Sequence, residues 1–289
     1  MSRRRKRAKP PREVTLQHPA AAEADARRPR LGGRGPRRAA LLAIVAAVVV
    51  AAAVSGFVLL ARSGESTPRA LIVDQLDQTF PNPAFVKEAG TLLTDAGYHV
   101  YYTPGKRATV DFYRDLGRGD YDVIVLRTHV ARLLDATRQN LGDDAILFTS
   151  EPYTATRYLK DQLAWRLGPA YYYPGGDQYF GLLPEFITSN VRGDFNGATV
   201  IVMGCDGLKS NKMAEAFVRK GAQAFISWDG DVSADHTDAA TERLLQHLVV
   251  DKLGTQEAVA RTMTEVGPDP SYGSKLVLYP AEAAVSAVR

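Results

Sequence analysis

VIVMGCDG, residues 200–207, is the stretch on which the reading of this chain turns. Four apolar residues suited to a buried strand stop at Gly204, and Cys205 follows at once, the single cysteine in 289 residues. An Asp-Gly pair, Asp206 and Gly207, then turns the chain. A strand this uniformly apolar is covered on both faces, which implies a mainly parallel sheet wound with helices. The thiol is therefore expected just past the carboxyl end of a central strand. In open parallel sheets, ligands and reacting groups gather at that edge.

Working outward, strand-like and helix-like segments alternate. Strands are expected at 70–74 (ALIVD), 99–103, 121–127 (YDVIVLR), 199–203, 223–228 (QAFISW) and 275–279. Helices are expected between them: one from about 81 to a stop at Gly97, a short one at 109–116, and one at 211–220 with Ser210 as cap and Gly221 as stop. Two more follow at 234–253 and 256–265. AILFTS at 145–150 reads as a further strand, whereas YYYPGGDQYFGLLP resists assignment and belongs to a long insert of the kind that often carries functional elements.

The carboxyl ends of these strands present Asp74, Thr103, Arg127 to His129, Cys205, and Trp228 with Asp229. LRTH closes the third strand and MGC the fourth. If those strands are neighbours, His129 and Cys205 project over one edge of the sheet. A thiol needs a base or cation nearby to act as a nucleophile, and an imidazole can serve as base and later as acid. His236, opening a helix after the fifth strand, is the competing base. His99 lies at the wrong end of its strand, His247 within a helix, and His18 in the N-terminal tail.

A histidine ending the third strand, a small residue and cysteine ending the fourth, and the run GCDGLKSNKMAEAFVRKGAQAFISWDGDVS together resemble the caspase-like superfamily of cysteine peptidases. The likeness is nearest to its CHAT and gingipain branch and covers approximately residues 69–280 in element order. It implies a caspase-like three-layer α/β sandwich with a mainly parallel sheet of about six strands. It also implies peptide-bond hydrolysis through a Cys–His dyad, with no metal and no cofactor. Carried across, Cys205 is the nucleophile and His129 the acid–base, and the backbone N–H groups of Cys205 and Val130 form the oxyanion hole. The family usually follows its histidine with glycine. Here the residue is Val130, which keeps the N–H but leaves its direction to be determined.

Around that pair, Arg127, Asp206, Trp228 and Asp229 are candidates for substrate binding. Arg127 shares a face with His129 and suits an acidic substrate group, or else an internal ion pair, for instance with Glu151. Asp229, Asp231, Asp235 and Asp238 do not match the spacing of a calcium loop, so no metal is expected. No Gly-rich phosphate loop follows the first strand, which argues against a flavodoxin-like ligand domain. A peptidase would take a peptide or protein substrate; the alternative is a catalytically inactive module of the same fold that binds a peptide or protein partner.

The rest of the chain sets the expected location. Residues 1–38 hold 13 of the 36 Lys and Arg residues against three acids, without apolar periodicity, and read as a disordered basic tail. The remainder has 23 basic against 29 acidic residues, a net charge of −6. The basic excess is thus confined to the tail, and no nucleic-acid partner is expected. Residues 39–61 (AALLAIVAAVVVAAAVSGFVLLA) are 23 residues without a charge, flanked by Arg37, Arg38 and Arg62. At ~1.5 Å per residue they span roughly 35 Å, enough for one transmembrane signal anchor. The positive-inside rule places the tail in the cytoplasm and the C-terminal domain outside, at the cell membrane. Residues 62–68 form a polar linker, 69–280 the α/β domain and 281–289 a C-terminal tail. A lone cysteine excludes an internal disulfide.

Overall fold

The computed structural model describes residues 67–134 and 140–281. The basic tail, the expected membrane segment 39–61 and the last eight residues lie outside the described part. In chain order the strands are β1 (Arg69–Asp74), β2 (His99–Pro104), β3 (Val123–Arg127), β4 (Val130–Leu134), β5 (Asn140–Pro152), β6 (Leu167–Tyr171), β7 (Gln178–Leu182), β8 (Thr199–Val202), β9 (Ala224–Trp228) and β10 (Leu276–Tyr279). The helices are α1 (Pro83–Asp95), α2 (Val110–Arg114), α3 (Leu159–Leu163), α4 (Pro184–Asn190), α5 (Lys212–Arg219), α6 (Ala234–Leu245) and α7 (Thr255–Glu265).

Six strands form the main sheet in the order β10-β9-β8-β3-β1-β2. The first five in the chain run parallel, and only β10 is antiparallel, against β9. Alternation along each strand feeds two cores. Leu71, Val73, Ile124, Leu126, Val200 and Val202 pack with α2, α4 and α5 on one face. Ala70, Ile72, Val123, Val125, Ile201 and Met203 pack with α1, α6 and α7 on the other. This is the mixed α/β arrangement, helices on both faces of a mostly parallel six-stranded sheet, that the apolar strands imply. The expected helix at 234–253 is shorter than read: it ends at Leu245 and continues as one π turn, Gln246–Val250.

The insert between β3 and β8 holds a second sheet, antiparallel, in the order β4-β5-β7-β6. It was only partly readable, since AILFTS belongs to the much longer β5. Its buried Ile146, Phe148, Ala170 and Leu183 make a small separate core. The insert begins immediately after His129, so its first strand and its aromatic side chains border the candidate site.

Candidate active site

β3 and β8 are parallel neighbours, with Leu126 opposite Val202 and Met203 N–H donating to Leu126 O at 3.0 Å. The two strands run out together, and their continuations touch. A Cβ added at Gly204 would lie 2.5 Å from Thr128 O, 2.5 Å from Val130 Cγ2 and 2.9 Å from Val130 N. Glycine at 204 is what lets the two ends approach this closely. Beyond it, Asp206 takes a left-handed conformation (φ 55°) and its N–H donates to Gly230 O at 2.8 Å, turning the chain down again. Cys205 is left at the crest of this turn, half-buried.

His129 and Cys205 line one cavity of about 350 Å³. No hydrogen bond joins the sulfur to the ring among the described residues. Cys205 Sγ instead accepts from Val232 N–H at 3.4 Å and lies 3.5 Å from Val232 O. Burial pushes the thiol up, the Val232 contact draws it down, and the charges of Asp231 and Asp206 push it further up; the net shift is upward. Burial, and after it the positive charge of Arg127, lowers His129 to about 4. At neutral pH the pair is therefore a protonated thiol and a neutral imidazole, and not a preformed thiolate–imidazolium ion pair.

The imidazole is held from several sides. Its Nε2 lies 3.1 Å from Thr79 Oγ1. If Nε2–H donates to that hydroxyl, Nδ1 keeps the lone pair a base requires. The His129 backbone N–H donates to Gln75 Oε1 at 3.0 Å, while Gln75 Nε2 donates to Tyr172 Oη at 3.0 Å. The Tyr172 ring in turn packs on the imidazole at 4.4 Å between centroids, with Phe80 and Phe148 at 5.8 and 5.7 Å. The sequence reading missed Gln75, Thr79 and Tyr172. Only Gln75 carried a signal, as a polar residue directly after the first strand.

The register of the second sheet fixes the direction of the Val130 N–H. Val130 lies opposite Leu147, and His129 O accepts from Phe148 N–H at 3.0 Å. In an antiparallel ladder the next N–H then points away from the partner strand. The Val130 N–H thus faces the free edge of β4, where Gly204 lies.

The other substrate-binding candidates fall outside the cavity. Arg127 is fully buried: Nε and Nη2 donate to Asp238 at 2.7 and 2.8 Å, Nη1 to Asp74 at 2.8 Å, and Nη2 also to Phe80 O at 2.8 Å. It is an internal ion pair, though not with Glu151, which meets Arg157 at 2.7 Å. Trp228 is also fully buried, and its indole N–H donates to Thr237 Oγ1, which itself donates to Met203 O, both at 2.9 Å. It braces the end of β8 from below. Asp229 caps β10 by accepting from Lys275 N–H at 2.7 Å. Asp206 is buried in the turn. The rival base His236 packs at a tilt against Trp228, and its Nε2 lies 3.2 Å from Gly267 O.

His129 is lowered in the folded chain relative to its ordinary value near 6.5, so below that pH the unfolded chain binds the extra proton first. Its contribution to stability is intact above about pH 6.5 and is lost progressively as the pH falls to about 4. Urea unfolding at pH 7, 5.5 and 4.5 should show this loss. His129→Gln should flatten that part of the slope, and an unchanged slope would contradict the burial of the ring.

No family model matches the chain, and no curated protein is significantly similar to it. Among solved structures, it is similar to protein GSU0716 from Geobacter sulfurreducens, at 10% identity and a TM-score of 0.39, over 78% of this chain and all of that one. A likeness at that score carries no functional argument.

Proposed function

We propose that this domain is a caspase-like cysteine peptidase, with Cys205 as nucleophile and His129 as general acid–base, held outside the cytoplasm by residues 39–61. The observation that carries the reading is that these two side chains leave neighbouring parallel strands and open into one cavity. In the reaction, neutral His129 takes the thiol proton as Sγ bonds to the carbonyl carbon. The oxyanion is met by the N–H groups of Cys205 and Val130. The C–N bond then breaks, the imidazolium protonates the departing amine, and water hydrolyses the thioester to free the thiol. Because the base stays neutral down to about pH 4, the acid limb of the rate profile is expected there rather than near 6.5.

The test is labelling of the full-length protein, in detergent, with a mixed library of peptidyl acyloxymethyl ketones, the adduct located by mass spectrometry. Selective labelling of Cys205 is expected, slowed roughly 10²–10⁴-fold in His129→Ala. Labelling no faster than in the denatured chain would end the enzymatic reading. The upward-shifted thiol favours a second reading, a binding module of the same fold, under which Cys205→Ala leaves the cellular phenotype intact.

A further inference from the structure

The peptidase reading leaves open which residue is cleaved after, and the cavity wall speaks to that. We infer that the cavity beside Cys205 receives an uncharged, apolar side chain, of leucine, methionine or phenylalanine type, from the residue whose carbonyl the sulfur attacks. The inference rests on the peptidase reading.

Apart from the two reacting groups, the wall is built from apolar and neutral side chains, chiefly Leu76, Phe80, Met203, Val232, Ala234 and Tyr272. Phe80 and Tyr272 are 51% and 60% exposed at the surface. Such apolar side chains, open to solvent beside a polar reacting pair, offer an apolar guest dispersion contacts and offer a charged guest no counter-ion. The charged side chains nearby do not line the wall. Arg127 is neutralised by Asp74 and Asp238, and its guanidinium is turned to the Phe80 carbonyl. Asp229 holds Lys275 N–H. Asp231 and Asp206, whose charges reach the Cys205 sulfur, both lie off the wall, Asp231 exposed and Asp206 buried in the turn.

The backbone behind part of the wall is tied down. Asp269 accepts from Ser233 N–H at 2.9 Å and from the N–H groups of Ser271 and Tyr272 at 2.8 and 3.0 Å. Burial works against its ionisation, but these bonds and the Ser233 hydroxyl hold it at about 2. One carboxylate thus ties together the two loops that carry Val232 and Tyr272. An apolar cavity on a backbone held in this way favours a guest that buries apolar area in it.

The experiment compares acyloxymethyl ketones differing only at the residue next to the reactive group: Leu, Met and Phe against Asp, Glu, Lys and Arg, on the full-length chain. The apolar members are expected to label Cys205 about 10- to 100-fold faster. A second variant tests the cavity itself. Ala234 is the first residue of α6, where a carboxylate suits the helix terminus. Ala234→Asp should move the ranking toward Lys and Arg by about tenfold. A charged probe leading in the wild type overturns the specificity alone, as does a ranking unmoved by Ala234→Asp. No labelling by any probe, while iodoacetamide alkylates Cys205 normally, overturns the peptidase reading and the specificity with it.

Discussion

Arg127→Leu is expected to cost about 3–5 kcal/mol of folding free energy, a large share of the ~5–15 kcal/mol that holds a domain of this kind together. The guanidinium is the only cation facing two buried carboxylates, at 2.7–2.8 Å, among the described residues. Burial already holds Asp74 above the ordinary carboxylate range, the Arg127 contacts offsetting part of that shift. Leucine would leave both carboxylates and the Phe80 carbonyl without these bonds. Arg127→Lys keeps the charge but not the two-pronged geometry to Asp238, and should fall between leucine and the wild type. Urea midpoints with unchanged slope would measure the effect. A shift under 1 kcal/mol for leucine would mean the three groups are not the closed network their distances imply. The network also reaches the site: Arg127 holds the Phe80 carbonyl, and Thr79 beside it contacts His129. Thiol labelling should therefore slow in Arg127→Lys even where folding survives.

The strands that carry His129 and Cys205 were legible because both their faces are buried. VIVLR and VIVM need no partner information to be read as interior strands, and their ends locate the pair. The cluster around Arg127 was not legible for the opposite reason. Its partners lie 53 and 111 residues away in sequence, and no local pattern distinguishes Asp74 and Asp238 from Glu151. The insert failed on the same ground. β6 contains Gly168 and Pro169 and β7 contains Gly181, residues that weaken any strand reading. β6 is an edge strand, where a proline costs least. At Gly181 an added Cβ would collide with the Ile146 side chain, so the glycine is set by a contact 35 residues away. Tyr172, which packs on the imidazole, lies one residue past the end of β6 in this same unreadable segment.

Gly204→Ala is expected to damage the site far more than the fold. Two of the three atoms crowding the new methyl are backbone, Thr128 O and Val130 N, and the third is Val130 Cγ2. Trimming the side chain by Val130→Ala relieves only the last, so the double variant should not recover. Val130 is fixed by its ladder with β5, and Met203 by bonds to Leu126 O and from Thr237. The strain must therefore be met by spreading the ends of β3 and β8. Overpacking of this kind costs about 1–3 kcal/mol, which a domain with two extensive cores can absorb. The same movement, however, separates the Cys205 N–H from the Val130 N–H, and loss of one oxyanion donor alone lowers turnover about 10²–10³-fold. The variant should fold, show a modestly lower melting temperature, and react with peptidyl ketones at least about 100-fold more slowly. Its reaction with iodoacetamide, which needs no oxyanion hole, should change little. If peptidyl labelling survives at the wild-type rate, the two N–H groups are not working together, and the oxyanion assignment fails even if Cys205 remains the nucleophile.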